Sequence, residues 1–165
     1  MHQGHEFAML LRKAYLTFHR RANARIIKSG ITADQFVALT MLAQEEGITQ
    51  ITLVERTASD ANTVTAILRL LERRGLVRRE AHARDGRARC VFLTSKGRRL
   101  QRRLTEEADL MLAALWNSVD QAARPTVLQG LAQVHSHFSS LSGTTASKNG
   151  KPRRAASRRG AAKRL

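Results

Sequence analysis

Residues 58–97 read ASDANTVTAILRLLERRGLVRREAHARDGRARCVFLTSKG. A polar start at Ser59-Asp60 leads into Val64, Ile67, Leu68 and Leu71, the i, i+3, i+4, i+7 spacing of one apolar helix face. Gly75 stops that helix, as a glycine just past a helix end does. Leu76-Val77 then begins a strand, Asp85-Gly86 makes a turn, and Val91 and Leu93 return as an alternating strand. Thr94 is placed to cap another helix. The reading is a helix followed by a hairpin that carries Arg78, Arg79, Arg84, Arg87 and Arg89. A helix fits the DNA major groove, and arginines on a projecting loop suit phosphates or a narrow minor groove.

The flanking stretches read as helices. Phe7, Leu10, Leu11, Ala14, Tyr15, Phe18, Ala22 and Ile26 keep an approximate 3–4 spacing, which predicts a long helix over 5–28 ended by Ser29-Gly30. Thr32-Ala33-Asp34-Gln35 has the form of a capping box, followed by a second helix that stops near Gly47. A short third helix is expected over 49–57, with Leu53 and Val54 inward. Past the hairpin, Leu100, Leu104, Ala108, Met111, Leu112 and Leu115 predict a helix over 95–117. Val127, Leu128, Leu131, Val134, Phe138 and Leu141 predict another over about 126–141. Pro125 is comfortable only in a first turn, so the start is set near Arg124 or Pro125.

The stretch 58–97 resembles the winged helix-turn-helix of the MarR (multiple antibiotic resistance regulator) family. Three pieces carry the resemblance in order and spacing: Leu71-Glu72-Arg73-Arg74-Gly75-Leu76-Val77, the wing tip Asp85-Gly86-Arg87, and Leu93-Thr94-Ser95-Lys96-Gly97. The resemblance extends over about residues 5–141. It implies a mainly α fold with a small β-hairpin wing, made of a winged helix-turn-helix DNA-binding lobe (32–94) and a helical dimerisation region (5–30 and 95–141). Residues 1–142 then form one MarR-like domain. It also implies a dimeric, ligand-responsive transcription regulator, expected to be a repressor at a near-palindromic operator. A winged helix forms its own core in far fewer residues than this chain has, so the long terminal helices need another surface. A second copy supplies it in the MarR-like arrangement; a larger monomeric helical core is the plain alternative.

Charge agrees with a nucleic-acid partner. The 165 residues carry 29 Lys or Arg against 13 Asp or Glu, a net +16, with a pI near 11.7. Residues 143–165 (GTTASKNGKPRRAASRRGAAKRL) hold eight of those cations and no acid, so half of the net charge lies there. With no large apolar residue before Leu165, this tail is expected to be disordered, either as a nonspecific DNA-binding arm or as a solvated tail. There is no stretch of 18 apolar residues, no basic leader with a cleavage site, and a single cysteine, Cys90, which excludes an intrachain disulfide. A cytoplasmic protein with no membrane partner is expected.

On the recognition helix the apolar residues leave Asn62, Thr63, Thr65, Ala66 and Arg69 outward. Asn pairs bidentately with adenine, Thr donates or accepts, methyl groups meet the thymine methyl, and Arg suits guanine or phosphate. Base contact and an ordinary solvated or phosphate-facing position are both open for Asn62, Thr63 and Thr65. Arg69 and Arg73 lie further along, where phosphate contact is expected, or a structural role for Arg73. Arg84, Arg87 and Arg89 belong to the wing. The resemblance implies that Arg87 enters the minor groove while Asp85 steadies the wing; simple turn chemistry is the alternative for Asp85.

Tyr15, Phe18, His19, Phe36 and Trp116 are candidates for a small-molecule effector pocket, or are plain core. The resemblance implies an aromatic acid, or a coenzyme A thioester, as effector. Cys90 lies on the strand face opposite Val91 and Leu93, and a sensing thiol would need exposure. The six histidines show no metal-ligand spacing. No nucleophile elbow, glycine-rich phosphate loop or catalytic acid pair is present, so no enzyme, metal or cofactor is expected. The rival from another class is an architectural chromatin-like protein without an effector.

Overall fold

The computed structural model describes residues 2–82 and 88–142. Its core is a helix-turn-helix backed by a small sheet, with long helices before and after.

Helix α1 spans Gln3–Ile26 and runs into a single 3-10 turn, Ile27–Ser29. Only Ala22 and Ile26, in its last turns, are buried. Gly30 ends this segment with φ 81°, a conformation that glycine adopts without a Cβ penalty. The expected capping box starts α2, Ala33–Gln44. The Gln35 amide donates to Thr32 Oγ1 at 3.2 Å, and the Thr32 amide donates to Gln35 Oε1 at 3.1 Å. The Ala33 amide also donates to Asn23 Oδ1 at 3.0 Å, which ties α2 to α1.

Helix α3 is Gln50–Thr57, with Thr49 as its cap rather than its first residue. Helix α4 is Ala61–Arg73, and it buries Val64, Ile67, Leu68 and Leu71 as the spacing requires. It ends in a Schellman motif: the Gly75 amide donates to Glu72 O at 2.8 Å and the Leu76 amide to Leu71 O at 2.9 Å. Gly75 sits at φ 66°, so the left-handed turn that launches the next strand needs this glycine.

The sheet differs from the expected two-stranded hairpin. Strand β1 (Ile48–Thr49) adds to β2 (Val77–Ala81) and β3 (Arg89–Leu93) in the antiparallel order β1-β3-β2. Ile48 pairs with Val91, and Val77 with Leu93. Two residues are too few for a period-2 pattern to show, so β1 is set by its partner rather than by local sequence. Both faces of β3 are consequently partly covered: Val91 and Leu93 are buried, and so is Cys90 on the other face.

Helix α5 spans Ser95–Asn117. Thr94 caps it, with Thr94 Oγ1 accepting from the Gly97 amide at 3.0 Å and donating to Gly75 O at 2.7 Å. Gly97 is fixed by packing: a Cβ there would lie 2.0 Å from the Leu76 carbonyl oxygen. The Leu93–Gly97 signature thus joins the wing, the end of α4 and the start of α5 through two residues. The core gathers Ile31, Leu39, Leu42, Leu53, Leu68, Leu71, Leu76, Val91 and Leu104, all almost wholly buried.

The chain divides into two compact units, Met1–Trp116 and the segment from Asn117 onward. The described part of the second unit is α6, Arg124–Ser142, preceded by a turn in which Asp120 O accepts the Ala123 and Arg124 amides at 3.0 and 3.1 Å. Its apolar residues Val127, Leu128, Leu131, Phe138 and Leu141 are all exposed. In the first unit, Phe7, Leu10 and Tyr15 of α1 and Leu110, Leu112, Leu115 and Trp116 of α5 are exposed as well. Among the described residues no single helix is long and apolar enough to cross a membrane.

Candidate nucleic-acid interface

The turn between α3 and α4 sets the exposed face of α4. Ala58 adopts φ 50°, and Asp60 then caps α4 by accepting the Asn62 amide at 3.0 Å and the Thr63 amide at 2.9 Å. Its second oxygen accepts the Thr63 hydroxyl at 2.6 Å. These bonds, led by the Thr63 hydroxyl, hold the Asp60 carboxyl below its ordinary pKa.

The outward residues of α4 fall into two groups. Asn62, Ala66, Arg69 and Arg73 are exposed, and among the described residues the Asn62, Arg69 and Arg73 side chains have no hydrogen-bond or ion-pair partner. The hydroxyls of Thr63 and Thr65 are already engaged. Thr65 Oγ1 donates to Ala61 O at 2.7 Å and accepts from Gln50 Nε2 at 2.6 Å. Thr65 therefore ties α4 to the first turn of α3 and offers a base little beyond its methyl group.

Two of the five hairpin arginines are structural. Arg79 donates from both Nε, at 3.1 Å, and Nη2 to the single oxygen Glu72 Oε2, which fastens β2 to the end of α4. The shared hydrogen bond lowers the pKa of Glu72 and raises that of Arg79. Arg78 stacks over the Phe92 ring with its guanidinium 4.6 Å from the centroid, and it pairs with Glu80. Arg89 is exposed at the start of β3. Arg84, Asp85 and Arg87 lie outside the described residues.

The frame beneath this face is braced by further ion pairs. Arg56 of α3 pairs with Glu45, and Arg98 of α5 with Glu46, so both helices are tied to the loop after α2. These pairs join residues distant in sequence and leave no local signal. The exposed cations at the start of α5, Lys96, Arg98, Arg99, Arg102 and Arg103, do leave one, in the run SKGRRLQRR, which the sequence reading passed over in favour of the wing, α4 and the tail.

The five effector-pocket candidates lie on α1, α2 and α5. Tyr15 and His19 are in ring contact at 5.5 Å, and His19 Nε2 lies 3.0 Å from Asp34 Oδ1. Phe36 packs on the core instead, Phe18 is half-buried, and Trp116 is exposed near the end of α5. A cavity of about 460 Å³ lies elsewhere, and none of the five lines it. The aromatics follow their helix periodicities, which for Phe36 means core.

Comparison with known proteins now places the chain. The MarR family model matches residues 31–88, from the start of α2 to the second wing strand. The transcriptional repressor Rv2887 of Mycobacterium tuberculosis is 31% identical over 94 residues, which cover 57% of this chain and 68% of that protein. The chain belongs to the MarR family. The transcriptional regulator HosA of Escherichia coli O157:H7 is 39% identical over 70 residues, covering 42% of this chain; the match spans about half of HosA (52%). Among solved structures, BpsR of Bordetella bronchiseptica, whose DNA binding is regulated by 6-hydroxynicotinic acid, superposes with a TM-score of 0.72 at 27% identity over 79% of this MarR-family chain and 98% of BpsR. The fold is the MarR winged helix.

Proposed function

We propose that this MarR-family chain is a sequence-specific DNA-binding transcription regulator, a ligand-responsive repressor that acts as a homodimer in the cytoplasm. The observation that carries this reading is the exposed face of α4, without side-chain partners among the described residues: Asn62, Ala66 and Arg69 project from a helix whose apolar side is fixed in the core. Asn62 at the capped end reads a base, and Arg69 and Arg73 meet guanine or phosphate. The wing, with Arg84, Arg87 and Arg89, contacts the flanking minor groove, and Asp85 orients it. The role of Rv2887 as a repressor and the regulated DNA binding of BpsR support the assignment.

The apolar side chains left exposed on α1, α5 and α6 support dimerisation; Phe7 is 53% exposed, Leu10 60% and Phe138 63%. A second copy covers them and sets two α4 helices about one DNA turn apart, as a near-palindromic site requires. An effector, an aromatic acid or its coenzyme A thioester, weakens DNA binding by favouring a different spacing of the two lobes. Tyr15, Phe18, His19, Phe36 and Trp116 remain the proposed contacts for its ring. The tail 143–165 adds sequence-independent attraction for DNA.

Selection of bound fragments from genomic DNA by the purified protein tests this. A recurring near-palindrome is the expected result; recovery of fragments without a shared motif would contradict it.

A further inference from the structure

A solvent-open cleft of about 460 Å³ in the first unit is lined by the exposed residues Arg74, Lys96, Arg99 and Arg103, with the half-buried Leu100 as its apolar part. We propose that it binds a small organic molecule carrying at least two negative charges, as phosphate or carboxylate groups. This gives the proposed regulator a defined ligand chemistry; only the coupling of that ligand to DNA rests on the regulator reading.

The site is built from one face of α5 and the end of α4. Lys96, Arg99, Leu100 and Arg103 stand at i, i+3, i+4 and i+7, so α5 presents three stacked cations with a leucine between them. Arg74, the C-cap of α4, faces them across the cavity. Its guanidinium is seated on the bare backbone of Gly30, where a Cβ would come within 2.4 Å of Arg74 Nη2. Lys96 Nζ donates to the Arg74 carbonyl at 2.9 Å, which satisfies a helix-end acceptor and holds α5 to α4.

The charges there are not balanced from within. Among the described residues, Arg74, Lys96 and Arg99 have no carboxylate partner. Arg103 has only Glu107, at 3.9 Å and beyond hydrogen-bond reach. Like charges at i, i+4, as in Arg99 and Arg103, oppose the helix. A multivalent anion converts that repulsion into charge-assisted hydrogen bonds, and guanidinium forks match phosphate and carboxylate equally. The volume exceeds what an inorganic ion needs and falls in the usual range for organic ligands. Leu100, half-buried between the cations, gives the uncharged body of the ligand its contact. Because Arg74 ends the recognition helix, an occupant touches α4 directly.

The test is titration calorimetry of the full-length protein with pyrophosphate, adenosine diphosphate and citrate, at a constant ionic strength of about 0.15 M. Saturable binding of at least one is expected, and adenosine diphosphate above pyrophosphate would show the apolar part at work. Preference for the phosphates or for citrate identifies which anion the forks favour. Arg99→Gln with Arg103→Gln should weaken binding at least about tenfold. Arg21→Gln with Arg102→Gln removes the same charge away from the cavity and should leave affinity within about twofold.

Equal loss in both double variants would reduce the binding to overall charge and overturn the proposal. So would the absence of saturable binding by all three probes. If the Arg99/Arg103 variant lost affinity for random duplex while its anion binding was unchanged, the face would belong to DNA and the proposal would again fall. Operator binding by the native protein, measured beside these, separates the two readings: its failure with anion binding intact would sink the regulator and leave the site.

Discussion

The Asp60 carboxylate accepts both the backbone amide and the hydroxyl of Thr63, at 2.9 and 2.6 Å. One side chain thereby caps the recognition helix and removes a hydroxyl from the set that reads bases. On the proposed reading, specificity in this part of the helix then falls on Asn62. Thr63→Ala should disturb stability through the cap, while Asn62→Ala should change which base pair is preferred at one operator position, a cost of about 1–3 kcal/mol. Competition binding against a panel of single-base operator variants separates the two. Equal base preferences for Asn62→Ala and the native chain would remove Asn62 from the reading.

The cap also carries a pH dependence. The folded-state pKa of Asp60 is depressed, so its contribution to stability is complete above the unfolded value of about 3.9 and is lost as pH falls through the folded value. Asp60→Asn keeps an acceptor but no titrating group. The stability gap between native and Asp60→Asn chains should therefore close on acidification below the ordinary aspartate range. Thermal unfolding at stepped pH measures it, and a gap that persists at the acid end would disprove the linkage.

Gly97→Ala should be among the most damaging small substitutions in the chain. The added methyl meets the Leu76 carbonyl oxygen, a backbone atom that cannot turn aside. The expected loss is about 3 kcal/mol, the upper end for overpacking. Gly130 is the contrast, because an added methyl there would have nothing within 4 Å. Gly130→Ala should be neutral or stabilise α6 by about 0.5–1 kcal/mol. Denaturant unfolding of the two variants tests the pair.

The fold was legible because its signals are local and redundant. The α4 spacing, the Thr32–Gln35 box, Gly75 and the Leu93–Gly97 signature each stand in one short window, and each has a hydrogen bond or contact to match. What escaped is what depends on distant partners. Strand β1 exists because β3 pairs with it. The partners of Arg78 and Arg79, Phe92 and Glu72, lie seven or more positions away and leave no local signal. The role of a threonine hydroxyl, as in Thr65, depends on whether a residue fifteen positions back reaches it.

Asp85 and Arg87 of the wing, outside the described residues, make a paired prediction. Arg87→Ala should weaken operator binding by about 1–3 kcal/mol without unfolding the chain. Asp85→Ala should also weaken it, although it removes a negative charge. Tighter binding by Asp85→Ala would mean that simple electrostatics outweighs wing orientation. Deleting 143–165 should weaken binding to all DNA and flatten its salt dependence, while the operator-to-random ratio holds.

The mass in solution bears on every two-half-site statement. With Phe7, Leu10, Leu112 and Phe138 exposed in a single copy, light scattering at micromolar concentration should give twice the 18.4 kDa chain mass. A monomer mass would leave those side chains unexplained.

The most direct measurement is the ratio of affinities for a genome-selected operator and for random duplex of equal length, at physiological salt. Specific recognition by the face of α4 predicts a ratio of about a thousandfold or more. A ratio near one would mean that the chain binds DNA through charge alone, as an architectural protein does, and would contradict the account.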